Sequence, residues 1–471
     1  MRHKKFLLSI LLICLSAPGI AYLSQAAASE IVPVEKAAEF IGQEVTVEGV
    51  VAVAGHFSPK GDGLINFGDG YPKQIFTIRV LRAAGYMPLD QLGFIAGRTL
   101  RATGKITDDK GKPKMVLSST ESIKVLPLDV DAVLSREIND YVTAMHYTQA
   151  VRQLLLAGEF SRLEELGQHL LDTQPITKHG AWQADLFLKA FTLGLTPGRN
   201  DQLIKEKIER WLSVAKNKNI ARLAAVHFWH SYAWQGRGGG YAREVTEQGW
   251  EDFGQRLEKA WELMQEIGEA LEDCPQYHEK MMDFAREMLC SREMFEEIYN
   301  KASERWPEYH SLHTSAIFTL LPRWLGEPGD AEKFLEEIPK RIPGDTGKIA
   351  QLQCALTLMR RDVKFKNNPP LERAAFREGL DARLRRYPDC PYIVNLNARD
   401  ALRIRDREYA RKFMDMIGER PDMQIWDLWM NYDCYRNWVY RGGDCGLMGE
   451  KVTEEEVQDV KSRPLITEDE T

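Results

Sequence analysis

The feature that most constrains this chain is a change of hydrophobic period at Leu126-Pro127-Leu128. Before it, apolar residues recur at every second position; after it, at every third or fourth. A period of two puts side chains on alternate faces of a strand, and a period of 3.6 lines them along one stripe of a helix, so the chain must build two architectures. At 471 residues it is also too long for one ordinary hydrophobic core.

The strand-like part begins near Gly42, where Val45, Val47, Gly49, Val51 and Val53 alternate with polar or small residues. Phe76, Ile78 and Val80 repeat the pattern, as do Leu100, Ala102, Gly104 and Ile106, and Met115 to Leu117 follows the turn Asp109-Lys110-Gly111-Lys112-Pro113. About five short strands within residues 30–127, with a pause at Pro88 to Leu92, predict a closed Greek-key barrel rather than an open sheet. Ile41-Gly-Gln-Glu-Val-Thr-Val-Glu-Gly49, Leu64-Ile-Asn-Phe-Gly68 with Tyr71-Pro72, and Gly97-Arg-Thr-Leu-Arg-Ala-Thr-Gly104 resemble small bacterial OB-fold domains of the nucleic-acid-binding type, over about residues 31–126. These are strand and turn residues, so the resemblance implies an OB-like barrel and names no ligand.

Residues 130–447 carry the helical period. Phe160, Leu163, Leu166, Leu170 and Leu171 recur at three and four, and Trp250, Phe253, Leu257, Trp261, Met264, Ile267 and Leu271 do so for six turns. Ala157-Gly158, Pro275, Pro307, Pro343 and Pro388 separate the amphipathic stretches. The spacings Pro275 to Pro307 and Pro307 to Pro343, 32 and 36 residues, lie near the tetratricopeptide period, and predict helical hairpins stacked into a curved layer. Leu154-Leu-Leu-Ala-Gly-Glu-Phe160, Tyr232-Ala-Trp-Gln-Gly-Arg-Gly-Gly-Gly-Tyr241 with Thr246-Glu-Gln-Gly-Trp250, and Leu321-Pro-Arg-Trp-Leu-Gly-Glu-Pro-Gly-Asp330 resemble the bacterial family called domain of unknown function 4034. That resemblance implies a helical fold and no activity. The fold class expected is multi-domain α+β, a five-stranded OB-like barrel followed by an all-α tetratricopeptide-like array.

The ends read differently. Basic Arg2 to Lys5, an apolar run from Phe6 to Leu15 and Ala26-Ala27-Ala28 before Ser29 form an export signal over residues 1–28, too short to span a bilayer. A protein of the periplasm or beyond is expected, with no transmembrane segment in the mature chain. Residues 448–471 hold eight acidic residues against three basic and no apolar period, which predicts a solvated tail. Six cysteines follow Cys14; the best pair for a disulfide is Cys434 with Cys445, because Arg441-Gly442-Gly443 between them can turn the chain back. No CxxC occurs, and no motif calls for a cofactor.

The most unusual local string is Gly236 to Tyr241, between a helix holding Trp229, His230 and Trp234 and another holding Trp250. The backbone of Gly238, Gly239, Gly240 and Tyr241 with Arg237 and Arg243 suits an anion, although no phosphate motif is present and a tight crossover between helices explains the glycines as well. His227/His230 and His310/His313 share helical faces without the third ligand a metal needs, and the aromatic neighbours Phe228 and Trp229 point to packed or hydrogen-bonded histidines. The stripe Trp426, Trp429, Tyr432, Tyr435, Trp438 offers a stacking surface or a cap on the last repeat. In the barrel, Glu30, Glu35, Glu39, Glu44 and Glu48 crowd the start, whereas Lys73 to Lys114 holds nine basic residues against three acidic. Arg101 and Lys105 are expected to point outward, with Phe67 and Tyr71 nearby, as a ligand-binding face.

No Gly-x-Ser-x-Gly or His-Glu-x-x-His string and no distinguishable carboxylate pair marks a catalytic centre. The net charge of −7 argues against a surface built to grip nucleic acid, and export makes such a partner scarcer still. The expectation is an exported non-enzymatic binding or scaffolding protein of the bacterial envelope, its partner a protein, peptide or glycan. The alternatives are an enzyme acting on an envelope polymer, and an OB domain holding nucleic acid or another anionic strand.

Overall fold

The computed structural model describes residues 30–56, 62–68, 73–81, 95–193, 201–239, 242–288, 290–362, 365, 369–418, 421–426, 429–443 and 445. The stretch read as an export signal, the Pro88 to Leu92 pause, Tyr71 and the stretch read as a tail lie outside them.

The N-terminal unit has strands β1 (Ile31–Pro33), β2 (Glu44–His56), β3 (Gly63–Phe67), β4 (Phe76–Val80), β5 (Thr99–Asp109), β6 (Lys112–Leu117) and β7 (Ile123–Val125). Five of them close on themselves in the order β2-β3-β4-β6-β5, with β5 returning to β2, while β1 pairs parallel to β2 and β7 lies beside β5. Closure leaves no free edge among the five. Strand β2 makes it possible by pairing twice: Glu44 to Val50 face β5, and Val51 to His56 face β3. It bends where Gly49 approaches Val34, since a Cβ there would sit 2.5 Å from Val34 Cγ1 and 3.0 Å from Phe67 Cδ1. The expected alternation breaks at a bulge between Val51 and Val53. One added residue reverses the in–out phase, so Val51 and Ala54 are buried while Val53 is not. The β5–β6 turn is also tighter than the expected five-residue loop: Lys110 and Gly111, with φ of 57° and 84°, form a two-residue turn whose twist matches the strands.

Seventeen α-helices follow among the described residues. They are α1 (Val130–Leu134), α2 (Tyr141–Ala157), α3 (Phe160–Thr173), α4 (Gln183–Lys189), α5 (Asp201–Val214), α6 (Lys218–Arg237), α7 (Glu247–Ile267), α8 (Pro275–Glu287) and α9 (Arg292–Arg305). Then come α10 (His310–Thr319), α11 (Asp330–Arg341), α12 (Gly344–Arg361), α13 (Arg373–Arg386), α14 (Pro391–Arg403), α15 (Arg407–Ile417), α16 (Met423–Trp426) and α17 (Trp429–Arg441). Pro275 and Pro391 occupy first-turn positions, where a missing N–H costs no hydrogen bond. Pro339 lies inside α11 instead of ending it.

Successive helices pack as neighbours, α6 on α7, α11 on α12 and α14 on α15. The layer curves far enough to meet its own start. Segment 174–182, between α3 and α4, is held by later stretches of the chain: Gln174 donates to the Asp273 carbonyl at 2.9 Å and accepts from Trp306 at 3.2 Å, and Trp182 meets Tyr309 edge-on at 5.1 Å. Farther on, the rings of His179 and Tyr392 are 5.4 Å apart, and Cys390 Sγ reaches the Asn139 carbonyl at 3.6 Å. The barrel docks on α2, where His146 Nε2 lies 2.8 Å from the Ala96 carbonyl and Arg98 donates to Gln149 and to the Leu126 carbonyl.

At the far end Cys434 and Cys445 are joined by a disulfide with Cα atoms 5.4 Å apart. Gly442, at φ 65°, turns the chain between them. Trp426, Tyr432 and Trp438 are buried in the C-terminal core, and the Trp426 and Tyr432 rings are 5.0 Å apart. None of the described helices is long and apolar enough to cross a membrane.

Because β2 has room only for hydrogen at its bend, Gly49→Val is expected to destabilise the barrel by about 2 kcal/mol through overpacking. Hydrogen exchange of β2 and β3 in the intact chain measures it, since the first tryptophan, Trp182, lies outside the barrel. Unchanged protection would show that the strand accommodates a side chain there.

Candidate functional site

The residues singled out in the sequence are dispersed and largely engaged. Arg237 ends α6 with its guanidinium over the rings of Trp234 and Trp250, at 5.2 and 5.1 Å. Gly238 caps that helix by donating to the Trp234 carbonyl at 3.0 Å, and Gly239 is exposed. Arg243 is exposed in a short turn, Ala242–Glu244, and Gly240 and Tyr241 lie outside the described residues. The glycines therefore end a helix, and a sandwiched arginine holds the crossover to α7.

On the basic side of the barrel, acidic residues of β2 stand across from basic residues of β5. Arg101 Nε donates to Glu48 at 2.5 Å, and Lys105 stands opposite Glu44 in the β2–β5 register. The acidic start and basic middle, separate in sequence, are adjacent columns of one sheet face. The histidine pairs split likewise. His230 faces Glu287 at 2.8 Å, while His313 contacts Tyr299 at 3.0 Å and the Pro307 carbonyl at 2.9 Å. Burial lowers the pKa of His227 far below its ordinary value and that of His310 to about 3, which keeps both neutral. No group of three His, Cys, Asp or Glu able to hold a metal occurs among the described residues.

A different cluster organises the molecule. Helix α8 is surrounded: nine of its thirteen residues are buried, including Gln276, Lys280, Asp283 and Arg286. Glu279, Lys280, Asp283, Arg286 and Glu287 fall at helical spacing, a pattern that on a surface helix is a solvated stripe. Here they pair with each other and with α4, α6 and α10. Asp283 accepts from Lys280 at 2.7 Å and from Arg286 at 2.8 Å, and Glu287 accepts from Arg286 at 2.9 Å and from Trp234 at 3.0 Å. Burial works against the charge of Asp283, yet Lys280 and Arg286 together hold its carboxyl well below the usual range.

Beside this network the Tyr309 hydroxyl lies between two carboxyls, 2.9 Å from Asp185 Oδ1 and also against Glu279. Gln276 donates to the same Asp185 oxygen at 2.7 Å. One phenolic proton cannot serve two ionised carboxylates, so one carboxyl must carry a proton and donate to the phenol oxygen. Burial, with the neighbouring charge of Glu279, pushes Asp185 up to about 7, and burial raises Glu279 as well.

Glu279, Asp283 and Arg286 also form one wall of a pocket of about 560 Å³ between α8, α10 and α12. Ser311, Thr314, Ser315 and Thr357 supply hydroxyls, and Phe318 with Arg360 and Arg361 completes the lining. Guanidiniums of Arg286, Arg323 and Arg361 surround the Phe318 ring at 5.2, 5.2 and 5.5 Å. Arg323 donates to the Arg361 carbonyl at 2.8 Å and Arg360 to Thr357 at 3.2 Å. No described carboxylate lies within ion-pair distance of Arg323, Arg360 or Arg361, whereas Arg286 has two. Arg286 Nε, buried, finds no acceptor in the protein. Burial lowers the Arg360 pKa, with the charge of Arg403 adding to the effect and that of Asp400 opposing it.

Sequence reasoning passed over this pocket because its residues are common types on three separate segments. The available signals were His230 and Trp234, already notable, which turn out to report on Glu287. Comparison with family models, with curated proteins and with solved structures finds no match for the chain.

The Asp185 carboxyl gives a pH dependence. Its folded-state pKa stands above the unfolded value, so its contribution to stability is complete below the unfolded pKa near 4 and is lost as pH rises through about 7. Asp185→Asn is therefore expected to shrink the stability difference between pH 5 and pH 7.5 by more than about 1 kcal/mol in urea denaturation. An unchanged difference would show that the shared proton is elsewhere.

Proposed function

We propose that this is an exported binding or scaffolding protein of the bacterial cell envelope, whose helical array holds an anionic ligand in the pocket between α8, α10 and α12. One observation carries the reading: the pocket has more guanidinium groups than carboxylates free to neutralise them. Asp283 is taken by Lys280 and Arg286, and Glu287 by Arg286, His230 and Trp234, so the charges of Arg360 and Arg361 in the lining remain for a ligand, with Arg323 behind them over the Phe318 ring. A concave wall of low dielectric focuses that field. Its size, about 560 Å³, lies within the range of small-ligand sites.

In this proposal the array is a tetratricopeptide-like layer and the barrel an OB-like module docked on its first long helix. Export rests on the leader-like residues 1–28. The ion pair of Arg101 with Glu48, and the position of Glu44 opposite Lys105, favour the array over the barrel as the seat of an anion, and so disfavour nucleic acid. Protein, peptide and glycan remain as partner classes.

The test is titration calorimetry of the full mature chain at low salt against small anions, including inorganic phosphate, citrate and sugar phosphates. At least one is expected to bind, with an affinity that falls tenfold or more in the Arg360→Gln/Arg361→Gln double variant while circular dichroism is unchanged. Anions bound equally by both proteins, or by neither, would remove the reading.

A second reading, hydrolysis of an envelope polymer, is favoured by one observation. Glu279 and Asp283, one turn apart on α8, line the same pocket with their titrations pushed in opposite directions, as a proton donor and an ionised partner require. Reducing ends released from acidic polysaccharides between pH 5 and 8, abolished in Glu279→Gln, would establish it; no release by the wild type would exclude it.

A further inference from the structure

We infer that the ligand of this pocket is an acidic sugar unit, a hydroxyl-rich ring bearing a carboxylate or a phosphate. The inference rests on the anion-binding reading above and goes further by assigning the rest of the lining. A bare anion needs only donors, and the arginines at the mouth provide them. The pocket has a second half of opposite character: Glu279 and Asp283 in one wall, with the hydroxyls of Ser311, Thr314, Ser315 and Thr357 around them. Asp283 is matched by Lys280 and Arg286, but Glu279 has a second oxygen beyond the one Tyr309 contacts, and with the wall hydroxyls it suits a ligand that also offers hydrogen-bond donors. Sugar hydroxyls do so; they accept in turn from Thr357, and they donate to Thr314 and Ser315, whose own protons go to the Ser311 carbonyl and to Asp283.

Other anionic ligands fit less well. A peptide side chain needs an apolar slot, and the apolar lining here is Phe318, whose ring is surrounded by Arg286, Arg323 and Arg361. The same crowding closes the ring to a stacked nucleobase. Inorganic phosphate or a small carboxylate would leave most of about 560 Å³, with its hydroxyl-lined wall, to water. A space of that size accepts roughly two sugar rings. The orientation follows from the chemistry, with the acid group at the Arg360–Arg361 mouth and the ring hydroxyls toward α8 and the start of α10.

The experiment is a matched titration of the full mature chain with six probes: glucose 6-phosphate, trigalacturonate, their neutral counterparts glucose and maltotriose, inorganic phosphate, and an acidic hexapeptide. At least one acidic sugar is expected to bind ten times more tightly than its neutral counterpart, than inorganic phosphate and than the peptide. Which of the two acidic sugars leads distinguishes phosphate from uronate as the acid group. The Ser311→Ala/Thr314→Val variant, which removes two hydroxyls at the pocket wall, is expected to lower the affinity for that sugar tenfold, measured beside its circular dichroism spectrum. Inorganic phosphate or the peptide binding as tightly as the sugars would overturn the sugar assignment and leave the anion reading standing. No binding of any charged probe would overturn both.

Discussion

The structure depends on a cost met inside the protein: ionised groups on α8 are removed from water and must be matched there. A buried charge is destabilising unless its partners are placed well, and removing one member of such a pair typically costs about 3–5 kcal/mol. Asp283, between Lys280 and Arg286, and Glu287, between Arg286, His230 and Trp234, meet that demand only if α6, α8 and α10 sit at one relative position. Apolar packing alone would tolerate sliding; charges with fixed hydrogen-bond directions do not. A second pair repeats the device, with Arg383 of α13 bound to Asp400 and Asn397 of α14 at 2.6 Å each. Uniqueness of helix placement in this array is thus specified by polar groups as well as by volume.

The architecture was legible where a period was sustained. Two periods with a boundary at Leu126 to Leu128 gave the barrel and the helices, because a run of alternating or helical spacing constrains many residues at once. Local breaks were not legible. The bulge between Val51 and Val53 changes the facing of later residues without altering composition, and Pro339 stays inside α11 because tertiary packing overrides a propensity. The tetratricopeptide-like spacing of prolines indicated stacked hairpins but not the return of the layer to segment 174–182, which is a property of accumulated curvature and belongs to no single repeat.

The site was far less legible, and the reason is physical. Glu279, Lys280, Asp283, Arg286 and Glu287 make a string that solvent-exposed helices display routinely; only burial gives it meaning, and burial is decided by α4, α6 and α10 from elsewhere in the chain. Conversely, Arg101 and Lys105 looked available because Glu44 and Glu48 are more than fifty residues away in sequence, though opposite them in the sheet. Rare strings such as Gly236 to Tyr241 draw attention by composition. In the described part of that loop, the composition serves a helix end and a stacked arginine.

The contact of Cys390 with Asn139 joins residues 251 apart in the chain. An open repeat array can lengthen or shorten by one hairpin, since each unit touches only its neighbours. This one has a circumference: one hairpin more or fewer would carry Cys390 and Tyr392 past the places where they meet Asn139 and His179. Its repeat number is thereby fixed by geometry, and lineages of such a chain are expected to vary by substitution and loop length while keeping the same complement of helices between those two points.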